Sequence, residues 1–356
     1  MDLYGIYKSI ERLYATVPQR LRFLKGKALP PLQLVFELTY RCNLRCEFCY
    51  QRREEDQLGV KYDRDELTAD EIRSIIAQTA PWTLIIFSGG EPFVRKDAMS
   101  ILEDTVRRRR CHVVTNGTCI TSEIAERMVD SGLTSLGISI EGPEEVHDRV
   151  RGRNTFSEAT GAVRRVVDCR RQRGKRFPLV NLKTTITSEN VEHLAGIVDL
   201  TQELGADYCS FQIMNTSVMI SGMYLCDRLD QYRQRPPLIS DFPLHVLEDQ
   251  LHLISERAAR SRVKVRFSPD LSGSEILGHY ANQLDMHNYM CFAPWAGINV
   301  SPRGEVFPCL NYRIGSVRER PLMELWNGER YREFRLSLLT KGQFAACQGC
   351  CDLTPR

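Results

Sequence analysis

The sequence predicts an α/β fold, a parallel sheet with outer helices, followed by a small C-terminal hairpin-plus-helix domain. Three observations point there. Between Leu34 and Ile213, six apolar strand-like runs alternate with helical stretches, the pattern of repeated strand–helix units. Within those runs polar residues take alternate positions, so one face suits helix packing and the other points inward. Beyond residue 290 a second cysteine set surrounds an apparent hairpin.

Taken in order, Leu3, Tyr4, Ile6, Tyr7, Ile10, Leu13, Tyr14 and Val17 recur at helical spacing. They predict a helical extension over residues 1–32 that docks on the body, with contact to a membrane surface the less favoured reading. After the Pro30-Pro31 break, the strand candidates are Leu34–Leu38, Leu84–Phe87, His112–Thr115, Leu136–Ile140, Val180–Ile186 and Tyr208–Ile213. The helix after the first loop opens at Thr68-Ala69-Asp70-Glu71, a capping box, and the helix after the fifth strand starts near Asn190. Residues 33–215 thus form the core. Residues 216–290, with a Pro236-Pro237 break and a helix over Leu244–Arg260, read as a helical connecting segment that covers the substrate or merely bridges. Residues 291–356 carry the hairpin, Gly297–Val300 and Glu305–Phe307, turning at Ser301-Pro302-Arg303-Gly304.

The 48 Lys and Arg and 45 Asp and Glu are interspersed over 356 residues. No basic face of the kind nucleic acid demands is evident, so no nucleic-acid partner is expected. The single basic run, Arg107 to Arg110, ends a predicted helix, where cations are favoured by the helix dipole. Thirteen cysteines without a secretory segment argue for a reducing cytoplasm and metal ligation. No apolar run reaches membrane-spanning length.

The densest signal is Cys42, Cys46 and Cys49 in one short loop after the first strand. Three thiolates hold a 4Fe-4S cube and leave one iron open. A zinc knuckle completed from a distant part of the chain is the alternative. Gly89-Gly90-Glu91-Pro92 follows the second strand, where two glycines allow close backbone approach and a carboxylate can accept from a bound ammonium. Ser139 and Glu141 share a face at the end of the fourth strand, suited to a ribose diol or an amino-acid head group. The inward set comprises Glu37, Ser88, Asn116, Ser139, Glu141, Asn181, Lys183, Thr185, Ser210 and Gln212. An interior so polar is a site. Lys183, Glu37 and Arg151 are the candidate catalytic residues in or at the rim of the lumen, and Lys183 would equally bind a carboxylate or phosphate. His147 reads as a surface histidine.

The CxxxCx(aromatic)C loop, the GGEP run and the Ser139-Ile140-Glu141-Gly142-Pro143 run resemble the signatures of radical S-adenosylmethionine (radical SAM) enzymes. The resemblance implies a partial (β/α)6 TIM-type barrel. It also implies that the open iron chelates SAM and that one electron cleaves it to methionine and a 5′-deoxyadenosyl radical. Phe48 would lie beside the adenine, Gly89, Gly90, Glu91 and Pro92 at the methionyl amino group, and Asn116, Ser139 and Glu141 elsewhere around SAM. Relatives carry Asp where Glu141 stands, a departure of one methylene. A flavodoxin- or ferredoxin-type protein would be the electron donor.

The C-terminal block, Cys291, Cys309, Cys347, Cys350 and Cys351 with Ile314-Gly315-Ser316 and Leu325-Trp326-Asn327, resembles SPASM and twitch domains. That resemblance implies one auxiliary 4Fe-4S cluster on Cys291, Cys309, Cys347 and Cys350. Cys351 is a substitute for Cys350 or a buried bystander, and a zinc site on the same four thiolates is the alternative. Some relatives carry an Asp after the cysteine equivalent to Cys309, where this chain has Leu310. The expectation is an oxidoreductase acting on a small polar metabolite, a sugar, aminocyclitol or nucleoside. A peptide-modifying radical SAM enzyme is the second reading, and an iron–sulfur electron carrier the third.

Overall fold

The computed structural model describes residues 3–49, 51, 65–219, 235–309 and 312–355. The N-terminal helix α1 (Leu3–Arg20) packs on the body and leads into β1 (Gln33–Thr39). There follow α2 (Ala69–Ala77), β2 (Leu84–Gly89), α3 (Ala98–Val106), β3 (Cys111–Thr115), α4 (Ser122–Ser131), β4 (Ser135–Ser139), α5 (Glu144–Arg151) and α6 (Thr155–Gln172). The core continues through β5 (Leu179–Thr185), α7 (Leu194–Glu203), β6 (Tyr208–Gln212), α8 (Leu244–Arg260), β7 (Lys264–Ser268) and α9 (Gly273–Tyr280). The last part comprises β8 (Tyr289–Met290), α10 (Ala293–Ala296), β9 (Gly297–Val300), β10 (Glu305–Phe307), β11 (Gly315–Ser316), α11 (Leu322–Trp326), α12 (Glu329–Lys341) and β12 (Thr354–Pro355).

Strands β1 to β7 are parallel and in sequence order, the right sequence of neighbours for a partial barrel with helices outside. Their outward side chains, among them Leu34, Phe36, Ile85, Phe87, Val113, Leu136, Ile138, Val180 and Leu182, are buried against the helices. The capping box at α2 is present, with Thr68 Oγ1 accepting from the Glu71 backbone and the Glu71 carboxylate accepting from the Thr68 backbone. Among the described residues no helix is long and apolar enough to cross a membrane, and the twelve described cysteines form no disulfide with one another.

Two features differ from the sequence expectation. Residues 216–290 are not only a helical connector, because Lys264–Ser268 forms a seventh parallel strand paired to β6, with Tyr208 opposite Lys264 and Gln212 opposite Ser268. The C-terminal hairpin is not a separate lobe. Its strand β9 pairs in parallel with β1, Gln33 opposite Gly297, so the barrel sheet runs on through β9, β10 and β11 as one ten-stranded sheet.

Candidate cluster and cofactor site

The carboxyl ends of the strands place the signature residues on one rim. The loop carrying Cys42, Cys46 and Cys49 follows β1, Gly89 ends β2 with Gly90 just beyond it, Asn116 follows β3, and Ser139 ends β4 with Glu141 two residues on. The glycines are required by sterics. A Cβ on Gly89 would stand 2.3 Å from Thr39 O, and one on Gly90 would stand 2.3 Å from Arg41 O and 2.7 Å from Tyr40 O. Their backbone bonds the cysteine loop directly, with Gly90 N donating to Thr39 O (2.7 Å) and Glu91 N to Arg41 O (3.0 Å). Gly90→Ala must push backbone against backbone, an overpacking strain of about 1–3 kcal/mol. Iron bound per chain is expected to fall to roughly half in that variant, because the N-terminal loop alone is displaced; undiminished iron would refute the steric argument.

Glu91 also braces the fold. Its side chain is fully buried, and the carboxylate accepts from Phe93 N (3.1 Å), Thr115 Oγ1 (2.7 Å) and Asn116 N (2.7 Å). Burial raises its pKa and these bonds oppose the rise. The carboxylate therefore fastens the end of β2 to the end of β3. Asn116 is also engaged, donating through Nδ2 to Asn43 Oδ1 (3.0 Å) and lying 3.9 Å from Cys42 Sγ.

Glu141 and Arg151 form a buried ion pair, with side-chain exposures of 1% and 11%. Arg151 Nε donates to Glu141 Oε1 at 3.0 Å, a second guanidinium nitrogen reaches the same oxygen, and Thr185 N donates to Oε2 at 2.9 Å. The guanidinium also reaches Cys46 Sγ (3.7 Å) and lies 5.4 Å from the centre of the Phe48 ring. Arg151 thus clamps the cysteine loop to β4. His147 is buried, not on the surface: its Nδ1 accepts from Glu141 N (3.1 Å), and burial with the Arg151 charge lowers its pKa to about 3. Sequence reasoning missed it because the partner is a backbone amide six residues earlier, which leaves no mark in composition.

Ser139 is half-buried, and its hydroxyl makes no hydrogen bond to another described residue. The ammonium of Lys183, which stands opposite it in the β4–β5 register, also has no hydrogen-bond acceptor among the described residues. Gly137 makes the room for it, since a Cβ there would sit 3.1 Å from Lys183 Cδ. Burial lowers the Lys183 pKa, and Glu141 and Cys351 oppose that. His112 is a lumen residue that sequence reading passed over. Its Nδ1 is 2.7 Å from Ser135 Oγ, and burial and Lys183 lower its pKa to about 3. Glu37 is buried with Gln51 Nε2 at 3.5 Å from its carboxylate.

The four cysteines Cys291, Cys309, Cys347 and Cys350 line one recess of about 520 Å³, counted with its open mouth. Burial pushes the Cys347 thiol up to about 12 and the Cys291 and Cys350 thiols well above their ordinary value. Thiolates are favoured in such a place only beside a cation, which suits a metal-bound state. Cys351 points elsewhere, 3.4 Å from Asn215 Nδ2 and outside the recess lining. Gly349 is packed so closely on the loop after β6 that a Cβ would meet Thr216 Oγ1 at 1.9 Å. Leu310 lies outside the described residues. Among the described residues no three His, Cys, Asp or Glu side chains converge on a single-ion site, whereas the cube's iron atoms take their thiolates at separate corners. Both donor sets fit such a cluster.

Residues 36–201 match the family model described as the radical SAM superfamily, and residues 291–351 match SPASM, an iron–sulfur cluster-binding domain. The AdoMet-dependent heme synthase of Methanosarcina barkeri is 30% identical over 89% of this chain and 88% of its own length. The PqqA peptide cyclase of Xanthomonas euvesicatoria pv. vesicatoria is 28% identical over 91% and 81%. The crystal structure of Streptococcus suis SuiB shares the fold, with TM-score 0.64 and 15% identity over 99% of this chain and 79% of that one. The chain therefore belongs to the radical SAM superfamily, as a SAM-dependent iron–sulfur enzyme with a C-terminal SPASM domain.

Proposed function

We propose that Cys42, Cys46 and Cys49 hold the SAM-binding 4Fe-4S cluster, that Gly89, Gly90, Pro92, Asn116, Ser139 and Phe48 border SAM, and that the substrate is a peptide carrying a carboxylate. Held by those three cysteines, such a cluster would supply the electron for reductive cleavage of SAM and so for hydrogen abstraction from substrate. The remaining residues divide the other tasks. Arg151 and Glu141 hold the cysteine loop against β4, Glu91 braces the same rim from below, and Ser139 offers an uncommitted hydroxyl. Cys291, Cys309, Cys347 and Cys350 would hold one auxiliary cluster as electron acceptor, making the net reaction an oxidation. A flavodoxin- or ferredoxin-type donor in the reducing cytoplasm completes the requirement.

The peptide reading replaces the expected sugar, aminocyclitol or nucleoside because a relative matched over 81% of its own length is named a peptide cyclase. The observation that carries the carboxylate is the Lys183 ammonium, held in the lumen without an acceptor among the described residues. A second reading, an iron-porphyrin substrate, is favoured by the heme synthase match at 30% identity and by an Fe-coproporphyrin III synthase at 28%.

Lys183→Met is expected to leave SAM cleavage in place and to raise KM for substrate at least about tenfold, since a lost charge-assisted bond is worth about 1.5–3 kcal/mol. Anaerobic incubation of the reconstituted enzyme with acidic peptides and, separately, iron coproporphyrin, read by mass spectrometry for loss of hydrogen, tests the substrate class. Conversion of the porphyrin alone would overturn the peptide reading, and an unchanged KM would overturn the role of Lys183.

A further inference from the structure

Eight of the eleven large apolar side chains exposed among the described residues lie on α1, the segment that follows it, or α12, with Phe177 and Leu238 elsewhere in the chain. Ile10, Leu13 and Val17 of α1 are 55%, 66% and 41% exposed, although Ala15 and Pro18 on the same helix are buried. At 3.6 residues per turn these three and Leu21 fall within one arc of the helix surface. Phe23, 74% exposed, continues the stripe. Trp82, 53% exposed, lies beside Tyr14, which borders the stripe on one flank. On α12, Leu336 and Leu339 are 41% and 42% exposed, and Leu336 lies against Gly26.

This side is built, not frayed. Tyr14 OH donates to Pro30 O (2.7 Å), Arg332 Nε to Lys25 O (3.1 Å), Trp326 Nε1 to Leu29 O (2.8 Å), and Ala28 N to Asn327 Oδ1 (2.9 Å). The segment joining α1 to β1 is thereby pinned to α11 and α12 with its apolar side chains outward. Charge is just as uneven. Residues 1–29 contain six Lys and Arg against two Asp and Glu, in a chain whose total is +3. Arg12 and Arg20 lie along the flank of α1 opposite Tyr14, and both are exposed.

We infer that this face docks on an anionic lipid surface, with Ile10, Leu13, Val17 and Phe23 entering the acyl boundary and the surrounding cations meeting headgroups. Exposed Trp and Phe beside cations suit such an interface. A second copy of the chain is a poorer occupant. A two-fold contact sets the same patch against itself, and the cations would oppose one another.

The test is flotation of the full-length, anaerobically reconstituted protein with vesicles of phosphatidylglycerol and phosphatidylethanolamine, or of phosphatidylcholine alone. The protein is expected to float with the anionic vesicles at least about tenfold more than with neutral ones, and to be released at about 1 M salt, where the Debye length is about 3 Å. The Leu13→Glu/Phe23→Glu variant should stay at the bottom while cleaving SAM at the wild-type rate. Should that variant misfold, Arg12→Gln/Arg20→Gln must weaken flotation on the anionic vesicles. Wild-type protein that stays at the bottom with anionic vesicles overturns the inference. So does flotation that neither variant reduces, or a stable dimer in sedimentation that Leu13→Glu/Phe23→Glu dissolves.

Discussion

Arg151→Ala should cost about 3–5 kcal/mol of stability in urea unfolding, because it leaves the Glu141 carboxylate charged and buried without its ionic partner. The structure makes the loss large: two guanidinium nitrogens reach Glu141 Oε1, and Glu141 is only 1% exposed. SAM cleavage should fall by at least about 100-fold, the usual consequence of displacing reacting groups by about 1 Å. That follows because the same guanidinium touches Cys46 Sγ and the Phe48 ring. Arg151→Lys restores the charge but not the two-nitrogen contact, and should recover little. The double variant with Glu141→Gln should lose less stability than the two single losses added together. Additive losses would mean that the pair does not act as a clamp.

Arg335→Ala should be comparably severe at the other end of the molecule. Arg335 is fully buried in α12, its guanidinium 4.2 Å from the Trp326 ring centre and 4.0 Å from that of Tyr331. It donates to Pro294 O (2.7 Å), Gly26 O (3.1 Å) and Asn327 Oδ1 (3.2 Å), joining the N-terminal segment, α10 just after Cys291 and the end of α11. Truncation strands a buried carbonyl and removes the planar filler between two rings, an expected loss of about 3–5 kcal/mol. Bound iron should drop to roughly half while SAM cleavage persists, since the auxiliary recess alone is disturbed. Full iron content in a folded Arg335→Ala protein would contradict this assignment.

The core strands were legible in the sequence because each buries one face and turns a polar face inward, so Asn181, Lys183 and Thr185 alternate with Val180, Leu182 and Thr184. β7 escaped because it is an edge strand without a fully buried residue, and Lys264, Arg266 and Ser268 resemble a solvated linker. The pairing of β9 with β1 joins residues far apart in the chain, and no local pattern encodes that register. The cysteines were legible by spacing. The roles of Glu91, His147 and Arg335 were not, because each is fixed by backbone groups that approach only in the fold. Arg335 sits on a helix with little amphipathic contrast, where an arginine ordinarily reads as solvated.

The central claim is most directly tested by anaerobic reconstitution of the wild type and of the Cys42→Ala/Cys46→Ala/Cys49→Ala variant, with iron counting and assay of 5′-deoxyadenosine after SAM and a reductant are added. The wild type should bind about eight irons per chain and form 5′-deoxyadenosine, and the variant should keep about four and form none. Zinc in place of iron in the wild type, or equal 5′-deoxyadenosine from both proteins, would contradict the account.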